Sequence, residues 1–192
     1  MQVKCVVVGE FAVGKTALLM TFSTGSFPKE YIPVVYEQHN AGIMYRGTPV
    51  SLGLWDTTQG EYYSRLRPLS YSQADVVLVC FSLVDRSSFE CVASKWKPEI
   101  KFHCPNCPII LVGTKIDQRD DPVILRESKG NNTPVIEYSE GLQMAKQIGA
   151  SYYLETSSLT HKGVRVLFDR AIYAVLNPTT RSEPTSKRCC IM

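Results

Sequence analysis

Gly9, Gly14, Lys15 and Thr16 stand at the spacing G-x-x-x-x-G-K-T, directly after the apolar run Cys5, Val6, Val7 and Val8. A strand that ends in such a loop and opens a helix turns successive backbone N–H groups toward one point. The helix dipole adds partial positive charge there, Lys15 adds a full one, and the Thr16 hydroxyl is placed to hold Mg2+. Ala12 and Val13 belong to the same cradle, whose chemistry is the grip of a polyphosphate. Such a loop does not choose a base. Thr114, Lys115 and Asp117 form T-K-x-D at the end of a second apolar run. A carboxylate there accepts two hydrogen bonds from the adjacent ring and exocyclic N–H groups of guanine. Adenine lacks that pair and would leave Asp117 unpaired. Glu155, Thr156, Ser157 and Ser158 end a third, short strand and can offer a backbone N–H to the guanine carbonyl. Three motifs in this order, each at a strand end, point to a guanine nucleotide. A P-loop nucleotide kinase would share the first motif and leave T-K-x-D without a role.

These residues need strands whose carboxyl ends meet on one edge. Near-continuous apolar runs at residues 75–81 and 108–113 read as central parallel strands, as does the run ending at Gly9. Residues 50–56 alternate more weakly, and residues 152–155 form a shorter run. Helical patterns fill the gaps: residues 15–22, residues 87–100 with Ser87 or Ser88 as cap, residues 139–148 before Gly149, and residues 163–176. In the last, Val164, Leu167, Phe168, Ile172 and Val175 recur at helical spacing. Strand–helix alternation predicts an α/β fold with a doubly wound, mostly parallel six-stranded sheet and its ligand at the carboxyl ends of the strands. Residues 1–176 are read as one domain and residues 177–192, with Pro178, Pro184 and several Ser and Thr, as a flexible tail.

Composition bounds the function. The 192 residues are 44% hydrophobic and 20% charged, which excludes collagen-like, disordered and coiled-coil chains. A net charge of +3 is too small to argue for nucleic acid. No apolar run nears the roughly 20 residues of a membrane helix. The start is too abrupt for a signal peptide, so the chain is expected in the cytoplasm. Seven scattered cysteines do not form a secreted disulfide framework. Cys104-x-x-Cys107 lacks the second pair or His partners of a zinc site; metal or redox chemistry is not expected there, and the segment reads as a loop running into a strand.

With these residues in view, the chain resembles a Ras-superfamily small GTPase, and within it the Rho/Rac family. The resemblance runs from Lys4 to Leu176 and is carried by residues 27–33 (FPKEYIP), 52–57 (LGLWDT), 65–71 (RLRPLSY) and 111–115 (LVGTK). The long stretch between Asp117 and Ser139, about residues 118–137, resembles the charged helical insert of Rho proteins. The resemblance implies GTP or GDP with Mg2+, held by Thr16 and by Asp56 through water. It implies Phe27 edge-on to the base and Tyr31 over the phosphates. Effectors and exchange factors would meet the switch regions, including Val35, Tyr36, Leu66 and Leu69, with a Rho-type GDP-dissociation inhibitor as a further partner. The protein is expected to be a monomer. Trp55 resembles the Rac-type residue that helps choose exchange factors; a packed aromatic beside the switch explains it equally.

The departures fall where hydrolysis happens. Phe11 replaces the second P-loop glycine, at the position facing the γ-phosphate. Val34 replaces the switch I Thr whose hydroxyl binds Mg2+. Asp56-Thr57-Thr58-Gln59-Gly60-Glu61 stands where the family has Asp-Thr-Ala-Gly-Gln-Glu, so Gly and Gln have traded places. The catalytic positions are therefore not intact, and hydrolysis is expected to be very slow. A GTP-locked signaller and a pseudo-GTPase holding nucleotide structurally both fit. At the carboxyl end, Cys189-Cys190-Ile191-Met192 fits C-a-a-X, with a farnesyl group expected on Cys189. The expectation is residence on the inner leaflet of the plasma membrane or on endomembranes, helped by Arg181, Lys187 and Arg188.

Overall fold

The computed structural model describes residues 1–28, 38–57, 67–130 and 133–177. Six strands form one sheet: β1 (Gln2–Gly9), β2 (Gln38–Tyr45), β3 (Thr48–Asp56), β4 (Val76–Ser82), β5 (Ile109–Thr114) and β6 (Tyr152–Glu155). Their order is β2-β3-β1-β4-β5-β6, and β2–β3 is the antiparallel pair in an otherwise parallel sheet. The α/β expectation holds. The helices are α1 (Lys15–Thr24), α2 (Arg67–Tyr71), α3 (Arg86–Cys91), α4 (Lys97–His103), α5 (Ile116–Arg119), α6 (Pro122–Gly130), α7 (Tyr138–Ile148) and α8 (Val164–Leu176). None is long and apolar enough to cross a membrane among the described residues.

The period of two along the central strands splits their side chains between two cores. Cys5, Val7, Leu78 and Ile110 pack with Leu18, Leu19, Phe168 and Ile172 of α1 and α8. Val6, Val8, Val79 and Leu111 pack on the other face with Phe89, Trp96, Ile100 and Ile148. Both faces being covered is why these strands read as unbroken apolar runs. β1 lies between β3 and β4, so the chain turns to opposite sides of β1 and opens a crevice at its carboxyl end.

The helix expected over residues 87–100 is longer and is interrupted. A π turn at Val92–Trp96 joins α3 to α4, closed by Lys97 N–H onto the Val92 carbonyl. Its cap is Asp85, not Ser87 or Ser88: the Asp85 carboxylate accepts from Ser88 N–H at 3.3 Å. The Ser88 hydroxyl is engaged elsewhere, accepting from Ser82 N–H and donating to Asp85 O.

One ion pair ties α2 to α4. Arg67 Nε and Nη2 donate to the two Glu99 oxygens at 2.6 and 2.7 Å, and Tyr71 OH donates to Glu99 at 2.7 Å. The Arg67 guanidinium also lies over the Trp96 ring, 5.0 Å from its centroid. Burial alone would raise the Glu99 carboxyl; hydrogen bonds from Arg67 and Tyr71 outweigh it and hold the group below its ordinary value. Its contribution to stability is therefore complete above the ordinary carboxylate pKa of about 4.3 and is lost as pH falls through the lowered value. Glu99→Ala leaves Arg67, whose side chain is 8% exposed, without its partner. The expected cost is about 2–3 kcal/mol, less than for a fully buried pair because solvent reaches Glu99. A urea titration at neutral pH reads it as a lower midpoint, and the deficit should vanish in acid.

Candidate functional site

The loop between β1 and α1 is shaped by two glycines. Gly9 has φ +149°, and a Cβ on it would lie 2.2 Å from the Cys80 carbonyl oxygen of β4. Gly14, in the left-handed region with φ 97°, is the N-cap of α1, and no side chain caps that end. The first-turn N–H groups therefore face the crevice with the helix dipole behind them. Between the glycines, Ala12 also adopts positive φ, at 56°. Glu10 is held from outside the loop by Lys95 at 2.8 Å.

Lys15 is buried, 7% exposed, and its ammonium donates to the carbonyls of Gly9 and Glu10 at 2.9 and 2.8 Å. Burial pulls its pKa below the ordinary value, and the nearby Asp56 carboxylate opposes that. Thr16 Oγ1 donates to Asp56 Oδ2 at 2.6 Å, bringing a hydroxyl and a carboxylate oxygen together at the ends of β1 and β3. Hard oxygen donors of this kind suit Mg2+, so the residues present fit that ion. Thr57 is fixed by its hydroxyl on Val7 O at 2.6 Å.

The second wall comes from β5 and β6. Thr114 is buried and its hydroxyl bonds the carbonyls of Val13 and Phe81, joining this wall to the phosphate loop. Lys115 holds φ 60°, unusual for a residue with a side chain, as N-cap of α5. Its Cε lies 4.0 Å from where a Cβ on Gly14 would sit, so its stem runs beside the P-loop. Asp117 follows on α5, half-buried. Ile116 N–H bonds Thr156 O at 3.1 Å, and Thr156 N–H bonds Gly113 O at 2.8 Å. Ser157 N–H is taken by Lys162 O at 2.9 Å. Ser158 follows with its carbonyl 3.5 Å from Thr21 Oγ1 of α1.

Two side-chain contacts that brace the site belong to no motif. Glu155, on β6, accepts from both sides: Arg119 Nη1 at 2.8 and 2.9 Å, and Tyr153 OH at 2.8 Å. This pins the end of α5 behind Asp117. Lys95 acts likewise on Glu10. The available signal for the first was a carboxylate inside a short strand with an arginine two residues beyond T-K-x-D.

Phe11 stands on the loop with 67% of its surface exposed, and Phe27 is exposed by 37%. The Trp55 ring packs on the core with the Lys4 ammonium 3.9 Å over its face. Tyr31, Val34, Val35, Tyr36, Gln59, Gly60, Leu66 and the tail with Arg181, Lys187, Arg188 and Cys189 lie outside the described residues. The crevice at the carboxyl ends of β1, β3, β5 and β6 thus brings together Gly9, Gly14, Lys15, Thr16, Asp56, Thr114, Lys115, Asp117 and Ser158. A family model described as the Ras family matches residues 4–177, nearly the whole described chain. The chain belongs to the Ras family of small GTPases, nucleotide-dependent switches that bind guanine nucleotide, generally with Mg2+.

Proposed function

We propose that this protein is a Rho-type, membrane-associated signalling switch that binds GTP and GDP and hydrolyses GTP very slowly. The observation that carries the nucleotide site is the continuity of its two walls: Thr114 and Lys115 lie against Val13 and Gly14, so phosphate loop and T-K-x-D line one slot. Lys15 would exchange its two loop carbonyls for phosphate oxygens. Thr16, and Asp56 through water, would hold Mg2+, which when bound would neutralise phosphate charge. Asp117 would take the two guanine donors. With the amides of Thr156 and Ser157 engaged, Ser158 is the residue whose N–H would meet the base carbonyl. The Rho-type reading is supported by residues 65–71 and by the additional helix α6 between β5 and α7.

Nucleotide extracted from the purified protein tests this. GTP or GDP in near one-to-one amount supports the switch, and protein that neither carries nor takes up guanine nucleotide refutes it. Phe11 favours a second reading, a pseudo-GTPase that presents its switch surface without turnover, because it stands exposed on the loop that should admit catalytic groups. That reading predicts bound nucleotide with no hydrolysis over hours.

Membrane association rests on the tail. One prenyl chain binds membranes marginally, and each of Arg181, Lys187 and Arg188 would add about 1 kcal/mol at an anionic leaflet. Cys189→Ser should move the protein from the membrane fraction to the soluble fraction; an unchanged distribution removes the prenyl anchor from the account.

A further inference from the structure

Cys104 and Cys107 sit on the loop between α4 and β5, at the amino ends of the parallel strands and so at the opposite edge of the sheet from the nucleotide crevice. Their sulfurs are bonded, and the Cα atoms are 5.5 Å apart, a separation a disulfide spans without backbone movement. The turn itself sets this spacing. Cys104 N–H closes α4 onto Ile100 O at 2.8 Å, and Cys107 N–H returns to Cys104 O at 3.2 Å.

The surroundings suit the reduced state as well. The Ala74 carbonyl lies 3.0 Å from Cys107 Sγ and 3.9 Å from Cys104 Sγ, so it can accept from either thiol. The loop borders an open cavity of about 470 Å3 whose walls include Tyr71, Ala74, Asp75 and His103. Cys107 is 8% exposed and Cys104 more so, which makes Cys104 the sulfur an incoming small molecule reaches.

Two other roles fit less well. As a staple, the bond would close a ring of four residues, which restricts the unfolded chain little, and hydrogen bonds already hold the turn. As a metal site it lacks ligands: no group of three or more His, Cys, Asp or Glu is placed to hold an ion among the described residues. The remaining described cysteines offer no pair. Cys5 and Cys80 are fully buried, with burial pushing the Cys80 thiol up to about 12, and Cys91 is no member of a C-x-x-C.

We propose that Cys104 and Cys107 form a reversible thiol–disulfide site that exchanges with a small-molecule thiol and its disulfide, of the glutathione class. In oxidation, Cys104 loses its proton to solvent and its thiolate attacks one sulfur of the small disulfide. A Cys104–S–S–R bond forms and one RS⁻ leaves. The Cys107 thiolate then attacks the Cys104 sulfur, the intramolecular bond forms, and the second RS⁻ leaves. The pair gives up two electrons and two protons, and one RSSR becomes two RSH. Excess RSH runs the same steps backward.

The full-length protein is equilibrated across glutathione mixtures from fully reduced to fully oxidised, quenched in acid, alkylated and mapped by mass spectrometry. The expected result is a Cys104–Cys107 crosslink that rises with the oxidised share and disappears in dithiothreitol, while Cys91 stays alkylatable. Cys107→Ser should instead retain glutathione on Cys104. In a Cys189→Ser, Cys190→Ser background, which removes the adjacent thiols of the tail, a trivalent arsenical resin, which needs two neighbouring thiols, should capture the reduced protein and fail to hold it once Cys104→Ser or Cys107→Ser is added. A pair that stays reduced in fully oxidised glutathione, a bond that survives dithiothreitol in the folded protein, or a bond running to Cys189 or Cys190 would each overturn the proposal.

Discussion

Preloaded GTP is expected to turn over slowly in a single-turnover assay and to stay slow when a Rho-type activating protein is added. Phosphoryl transfer needs little covalent help from the protein, so its rate comes from placing water and neutralising charge. An arginine finger supplied by an activator contributes roughly 10³–10⁵ in rate, or about 4–7 kcal/mol of barrier. Phe11 puts an exposed benzyl group on the loop between Gly9 and Gly14, which in the proposed reading faces the γ-phosphate where that finger would enter. The exchange of Gly and Gln at 59 and 60 cannot be offset by sliding β3 along β1. β3 is locked to β1 with Val7 opposite Asp56, and Thr57 is bonded to Val7 O. A one-residue slip would turn every β3 side chain to the wrong face. Counted along the sequence from Thr57, Gln59 comes one residue early, and Gly60 has no side chain to orient water. Restoring Phe11→Gly, Gln59→Gly and Gly60→Gln together should raise the rate and return a response to the activator. Because the losses converge on one transition state they need not add, so single restorations should recover little. A large stimulation of the unmodified protein would falsify the blocked-finger account.

The second large effect is on base choice. Asp117→Asn replaces one acceptor oxygen by a donor and should weaken GDP and GTP while admitting xanthine nucleotides. A hydrogen bond to a charged group is worth about 1.5–3 kcal/mol, so the loss should be at least roughly tenfold in Kd. Competition of labelled GDP by GDP, XDP and ATP measures it. ATP competing as well as GTP against the unmodified protein would remove the guanine assignment. The setting of Asp117 supports a sharp effect. It lies on a four-residue helix held at its start by a left-handed Lys115 and at its end by the Arg119–Glu155 pair, so the backbone cannot shift to rebuild the contact.

Those two supports show how sequence and structure divide the work. The phosphate loop and T-K-x-D are legible because local chemistry fixes them: two glycines where the backbone must turn, a lysine and a threonine at one helix start, an aspartate at a strand end. The central strands are legible because both faces are covered. β2 is not, since Gln38, His39, Asn40 and Gly42 carry little strand preference. It forms because Ala41 and Ile43 cover one side of the core beside β3. The cap at Asp85 was hidden by two neighbouring serines, one of which turns inward. Glu155 and Lys95 act across 36 and 85 residues of chain, and no spacing rule reaches that far. The meeting of Cys104 and Cys107 is the reverse case: the spacing was visible, but the turn that closes it was not.

The wide turn at Val92–Trp96 bears on which changes of length the chain tolerates. It accommodates one more residue than a regular helical turn, and the helices on either side are each already committed. Lys95 must reach Glu10 on the phosphate loop, and Glu99 must reach Arg67 and Tyr71. Because the wide turn takes up its extra residue within one turn, deleting Ala93 or Ser94 would let it close as a regular turn with α3 and α4 still in phase and both moorings kept. An added residue within α4 before Glu99 has no such outlet: it would rotate Glu99 by about 100° away from Arg67 and Tyr71. Tolerance of a change in length is thus local to the wide turn, whatever side chains stand there.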